Sequence, residues 1–333
     1  MTMRPVRRAQ RGAALLIALL IMTLVATLAA GMVWVQWRGI EVESAERARG
    51  QGEWLLTAAL DWGNLILKSS VRNNHKEDDL GQPWATPLAE TKLSSFLSAD
   101  GSHSDDGGPE AFLSGQITDA QSKYNLLNLT ISGTKNTEVD RLRILCEAAG
   151  ISADVATTLA AGIRQSWDAV QQAKDATAQR DGTSVVMPTQ VSDLAWYGLS
   201  PQVIKQLEPF VQLLPVIGTT LTPINVNTAP AEVLMAAFPS ITRAQAQQVI
   251  QHRQSAPLLA GDVDPAMGYS KANPFAAPKD GPPRLDDVQS TYFEVYGQLR
   301  FEQHVIRERS VVWRKNASEV QVLRRERLAP DAT

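Results

Sequence analysis

The chain reads as an α+β protein with an apolar N-terminal helix, a domain built on an antiparallel sheet, and a large all-α domain inserted into it. Three observations predict this. Residues 13–37 run for 25 positions without a charge. Helical periodicity dominates the middle of the chain, and strand alternation returns only after residue 292, although a first strand pattern ends near residue 119. A strand separated from its partners by some 165 residues implies an insertion. With 333 residues, 44% hydrophobic and 20% charged, the chain can bury the cores of roughly two domains and is not broadly disordered.

The N-terminal segment comes first. The charged residues among the first twelve are Arg4, Arg7, Arg8 and Arg11. As a helix, the uncharged run would span about 37 Å, enough to cross a hydrocarbon core of about 30 Å. Trp34, Trp37 and Arg38 close its far edge, so the N-terminus is expected in the cytoplasm and the remainder across the inner membrane. Three fates are compatible with it: a secretory signal cut after small residues such as Ala29 and Ala30, an uncleaved anchor, or a leader trimmed where the basic stretch meets the apolar run at Gln10-Arg11-Gly12-Ala13.

Residues 38–68 continue the helix, with Ala48, Leu55, Ala59, Trp62 and Ile66 as the expected packing face and Gly50 and Gly52 weakening it locally. Residues 73–110 carry a net charge of −6 and read as loops with a short helix over 91–97. Residues 115–119 read as a strand. Two helical stripes follow, Val139, Leu142, Leu145, Cys146 and Ala149, then Val155, Leu159, Ile163, Trp167 and Val170 behind a Ser152 cap. Residues 171–182 form a polar loop or frayed helix end, and Ser200-Pro201 opens another helix. Thr228 is the expected cap of a helix over 229–238, and Thr242-Arg243-Ala244-Gln245 is a capping box for the next. Residues 255–287 are proline-rich and aperiodic, hence a long loop. From Phe293, Val295, Leu299 and Phe301 alternate with polar residues, Gly297 marks a turn or bulge, and residues 311–313 and 320–322 add strands. The domain division is 1–12 leader, 13–37 transmembrane helix, 38–122 periplasmic helix and first part of the sheet domain, 123–287 helical insertion, and 288–333 C-terminal strands.

Charge and composition exclude several functions. The formal net charge is −3, and without the four N-terminal arginines the remainder carries −7, which opposes general phosphate binding. Cys146 is the single cysteine, so neither an internal disulfide nor a cysteine-rich zinc site exists, and its place on an apolar stripe makes it a packing residue. His75, His103, His252 and His304 show no ligand spacing. No phosphate loop, HExxH or GxSxG occurs, so no catalytic or cofactor-binding residue is assigned and the chain is not read as an enzyme. Trp54, Trp62, Trp167 and Trp313 are expected in the core, with Trp84 and Trp196-Tyr197 in loops or helix ends open to partner contacts. Residues 300–327 hold eight bases against four acids, read as a solvated strand face with contact to an acidic subunit as the lesser option.

The leader, SGQITDAQSKYNLLNL at 114–129, LEPFVQLLP at 207–215, PINVNTAPAEVL at 223–234 and STYFEVYGQLRF at 290–301 together resemble the K-type minor pseudopilins of the bacterial type II secretion system. The resemblance implies a pilin-like domain carrying a helical insertion related to helix-hairpin-helix or SAM-like modules. It implies cleavage between Gly12 and Ala13 by the prepilin peptidase, with Ala13 as the N-methylated mature terminus. It also implies assembly with I- and J-type minor pseudopilins, the H-type joining below, as a cap that starts the periplasmic pseudopilus for export of folded proteins across the outer membrane. Most pseudopilins carry glutamate at the fifth mature position, where this chain has Ile17. A carboxylate in lipid needs a partner, so its absence suits a subunit with none above it.

Calcium binding is known in the family, but the acidic tract expected near Trp167-Asp168 continues here as Ala169-Val170-Gln171-Gln172, with Asp175 and Asp181 beyond. Asp105-Asp106, Asp262/Asp264 and Asp286-Asp287 lack EF-hand spacing, and no metal ligand is assigned. The rival reading is a membrane-anchored helix-hairpin-helix protein of DNA binding or uptake. It rests on residues 225–253, whose turn at 239–242 has no glycine for phosphate approach and whose bases are Arg243 and Arg253. No nucleic-acid partner is therefore expected.

Overall fold

The computed structural model describes residues 10–72, 76–93, 110–175, 186–263, 284–301 and 304–329. In chain order the first elements are α1 (Gln10–Arg72), β1 (Leu88–Lys92), β2 (Ala111–Asp119), β3 (Tyr124–Asn125), α2 (Lys135–Ala148) and α3 (Asp154–Asp175). Then come α4 (Pro201–Leu207), β4 (Val211–Gln212), β5 (Ile224–Asn225), α5 (Ala231–Ala237) and α6 (Arg243–Ser255). The chain closes with β6 (Asp286–Asp287), β7 (Tyr292–Phe301), β8 (His304–Arg314) and β9 (Val320–Leu328).

The main sheet has the order β1-β2-β7-β8-β9 and is antiparallel throughout. Its central pairing joins β2 to β7 from Ala111↔Phe301 to Asp119↔Phe293, so every helix from α2 to α6 lies between two adjacent strands. The insertion expected from the late return of alternation is therefore real. Polar residues of β7 face out and Phe293, Val295, Leu299 and Phe301 face in, where α1 covers them. The buried face of α1 is Leu56, Leu60 and Leu67, packed with Trp84, Leu113, Ile117 and Phe293. Burying each leucine contributes about 1.5–3 kcal/mol.

That face overlaps the expected one only in part. Ala48, Leu55, Ala59 and Ile66 pack against the core half-buried, while Trp54 and Trp62 are 79% and 44% exposed. The helix has apolar residues on nearly every side, so periodicity could not select the face the sheet would take. Trp84, expected near the surface, is buried edge-on against Phe293 with ring centroids 5.2 Å apart. Trp313 is half-buried and stacks on Tyr292, and Trp167 is half-buried too.

Gly297 is neither turn nor bulge: β7 passes through it in register with Gly115 and Glu308. A Cβ there would lie 2.9 Å from Leu56 Cδ1 and 3.1 Å from Leu60 Cδ2, so glycine lets the helix approach the sheet. Two other expectations change. The segment read as a helix over 91–97 begins as β1, and residues 94–97 lie outside the described ones. Thr228 does not cap a helix, because α5 starts three residues later with Pro230 in the cap position.

The insertion has its own core. Leu142, Leu145 and Cys146 of α2 meet Leu159 and Ile163 of α3, with Val233 and Leu234 of α5. Gly162 lets Tyr197 lie against α3, since a Cβ would stand 2.4 Å from its ring. The Thr242–Gln245 capping box forms as expected, and Ser200 caps α4 with Pro201 in its first turn. The α3 helix extends through Asp175, and Asp286 and Asp287, assigned to a loop, pair with β5.

Candidate functional site

Two features combine sequence motifs with unusual physics. The first is the stalk. α1 is 63 residues long, about 95 Å at ~1.5 Å per residue. Every described side chain over residues 13–47 is exposed, and the apolar part is long enough to cross a membrane. Gly12 and Ala13 are consecutive residues near its start, and Ile17 follows one turn later, 59% exposed. The Arg38 guanidinium lies 5.6 Å from the centre of the Trp34 ring. Further along, Trp54 and Leu65 are eleven residues apart, hence within about 20° on the helix, and point away from Leu56, Leu60 and Leu67. The outward side thus carries exposed Trp54 and Leu65, with Asp61 between them, where the inward side is already packed.

The second feature is a buried polar joint. β2 ends at Asp119, whose Oδ2 accepts hydrogen bonds from Thr228 Oγ1 at 2.6 Å, Ser290 Oγ at 2.6 Å and Asn225 Nδ2 at 3.0 Å. Its Oδ1 accepts from the Gln121 amide at 2.8 Å. Burial pushes the Asp119 carboxyl up to about 6, against the opposing pull of these donors, and the nearby Asp78 carboxylate adds to the rise. Asn225 Nδ2 also reaches Asp78 O and Ser290 Oγ, each at 2.9 Å. Gln121 Oε1 accepts from the amides of Thr291 and Tyr292, while its Nε2 donates to Pro223 O. Asn125 and Asn128 hold Leu214 and both the amide and carbonyl of Thr222. Beside them Arg314 of β8 donates to Asp78 Oδ2 at 2.5 Å and to Ser70 Oγ of α1 at 2.7 Å, over the Phe293 ring.

The four segments singled out beside the leader meet here, since Tyr292 Oη donates to Pro215 O and Gln212 Nε2 to Glu294 Oε1. Sequence reading found the segments but not their purpose. The available signal was small polar residues alternating with apolar ones, as in Tyr124-Asn125-Leu126-Leu127-Asn128-Leu129 and Ile224-Asn225-Val226-Asn227, whose asparagines are buried and hydrogen-bonded here.

Two family models, both described as type II secretion system protein K, match residues 122–216 and 224–282. The chain belongs to this family. No curated protein matches it. Among solved structures, a chain of the GspK-GspI-GspJ complex from the enterotoxigenic Escherichia coli type 2 secretion system is similar. The TM-score is 0.57 at 19% identity, over 86% of this chain and 99% of that one, a likeness of fold. The protein is thus a K-type minor pseudopilin, a structural component of its secretion system.

The remaining candidates of this K-family chain are used internally or stand apart. Arg243 donates to Glu232 and to Ala148 O, and Arg253 to Val226 O and Ala229 O, so both bases of the helical hairpin tie the insertion together. The basic C-terminal strands are neutralised within the chain: Arg300 by Glu90, Arg309 by Glu326, Arg325 by Glu308, Arg327 by Glu53 and Lys315 by Glu319. Cys146 is fully buried, and burial pushes its thiol up to about 12. Asp286 pairs with Arg284, and Asp287 Oδ1 accepts the amides of Val288 and Gln289. Asp105, Asp106, Asp181, Asp264, His75 and His103 lie outside the described residues. Among the described residues no three acidic, histidine or cysteine side chains gather in one place.

Proposed function

We propose that this chain caps the tip of the periplasmic pseudopilus and starts its assembly together with I- and J-type minor pseudopilins, the H-type joining below. The supporting observation is the apolar surface of α1. Beyond the membrane-spanning part and a charged stretch that includes Glu43 and Arg47, it resumes at Trp54, Trp62 and Leu65, on the side turned away from the head. A helix left alone in water has no use for two exposed tryptophans and a leucine, whereas the apolar helices of neighbouring subunits would cover them.

The head favours an end position. β7 and β8 meet near Ile40–Gln51 of the stalk through His304, while Asp119, Ser290 and Arg314 lie beside Ser70 at the other end of the packed helix. The insertion is therefore mounted at the end of the sheet away from the membrane, where bulk would collide with a subunit stacked above but not with those below. Ile17 agrees, because it offers no carboxylate to such a subunit.

In this reading the prepilin peptidase cuts between Gly12 and Ala13, Ala13 becomes the methylated terminus, and the retained helix holds a single-pass protein with its head in the periplasm. Two experiments test it. Gly12→Ala should leave the leader attached; N-terminal sequencing that found normal processing would remove the leader assignment. The full-length chain, co-expressed with the I- and J-type subunits of its own system, should co-purify with them in detergent. Trp54→Asp with Leu65→Asp should reduce that yield at least tenfold. No co-purification of the parent chain would refute the assembly role.

A further inference from the structure

We infer that Asp119 is a latch that seats the helical insertion on the sheet, and that gain or loss of its proton sets how firmly the seat is held. The chain crosses between sheet and insertion twice, at residues 119–121 going out and 288–291 coming back. The carboxylate binds both crossings, through Gln121 N and Ser290 Oγ, and it also grips the middle of the insertion through Asn225 and Thr228. Sheet and insertion have separate main cores, bridged by a small apolar cluster of Ala120, Leu214, Tyr292 and Val311, and the polar joint beside that cluster ties both crossings to the middle of the insertion.

Both protonation states can be accommodated. With Asp119 ionised, three donors converge on Oδ2. With it protonated, its own O–H becomes a donor and one hydroxyl must turn to accept. Thr228 Oγ1 can do so because Asn225 O lies 3.4 Å away as an alternative acceptor for the threonine proton. Among the described residues, the charged groups that bond to this cluster are Asp78, after α1, and Arg314, at the end of β8. Arg314 is bonded to Asp78, Ser70 and Ser290 O, and the remaining neighbours, Asn225, Thr228, Ser290 and Gln121, are neutral. Ionisation therefore places a second carboxylate near Asp78, which Arg314 already serves.

The sign follows. Asp119 releases its proton near 6 when seated and near 3.9 when the joint is open and wet. Its contribution is complete below the lower value and is lost as pH rises through the upper one. Between pH 5 and pH 7.5 the open joint should become about tenfold more populated. This holds wherever the protein sits in a filament.

The test is hydrogen exchange, followed by mass spectrometry, on the full-length chain in detergent at pH 5 and pH 7.5, corrected for intrinsic rates. Segments 119–128, 222–229 and 288–291 should open about tenfold more at pH 7.5, while the β7–β8 amides hold steady. Asp119→Asn should abolish the difference. Equal opening at both pH values, greater opening at pH 5, or an undiminished difference in Asp119→Asn would overturn the latch. If the variant does not fold, a parent series from pH 4 to 8 decides. A one-proton curve confined to the joint upholds the inference, and a flat curve overturns it.

Discussion

Gly297→Val should push the stalk helix off the sheet. A Cβ at this position stands 2.9 Å from Leu56 Cδ1 and 3.1 Å from Leu60 Cδ2, whereas carbon atoms rest comfortably at about 3.5–4.0 Å. Valine adds two further carbons into the same space. Both leucines are buried, and Phe293, Val295 and Leu299 of the same strand share their core, so neither can swing away freely. Overpacking of this kind costs about 1–3 kcal/mol, against a gain of up to about 1 kcal/mol from valine's preference for strands. The expected net loss is about 2 kcal/mol. With an m-value of about 3 kcal/mol/M, the urea midpoint of the detergent-solubilised chain would fall by roughly 0.7 M. Tryptophan fluorescence reports on this core directly, because Trp84 packs on Phe293 within it. Leu56→Ala alone should cost about 2–5 kcal/mol, but together with Gly297→Val the two should be less harmful than their sum by at least about 1 kcal/mol. A neutral Gly297→Val, additive with Leu56→Ala, would show that the glycine does not serve helix approach.

Two further outcomes are expected. Asn225→Ala removes bonds to Asp78 O, Asp119, Ser290 and the Asn227 amide at a fully buried site. It should cost about 2–4 kcal/mol, whereas Thr242→Ala, an exposed cap, should cost about 1 kcal/mol; similar urea midpoints for the two would contradict the joint's importance. Cys146, with its thiol raised to about 12 by burial, should resist maleimide at pH 7 in the native chain and react promptly in urea. Rapid native labelling would contradict its place between α2 and the rest of the insertion core.

Legibility followed the range of the interactions. The capping box at Thr242, the Ser200-Pro201 start and the alternation of β7 were readable because each is set by neighbours within a few residues. Gly297 and Thr228 were misread for the same reason. In sequence one resembles a bulge and the other a cap, but the first answers to Leu56 and Leu60, and the second to Asp119, over a hundred positions earlier. Likewise Trp54 and Trp62 look like core until the sheet takes the opposite side of the helix.

The sequence by itself determined that an uncharged rod leads the chain and that strands separated by a helical block must pair across it. Composition and periodicity suffice for both, because water rejects apolar surface in any fold. Only the tertiary structure decided which side of the rod is packed, and that Asp119, Asn225 and Ser290 converge on one buried point. Such contacts depend on residues brought together across 65 to 171 positions, and no local pattern encodes which distant polar group a buried carboxylate will find.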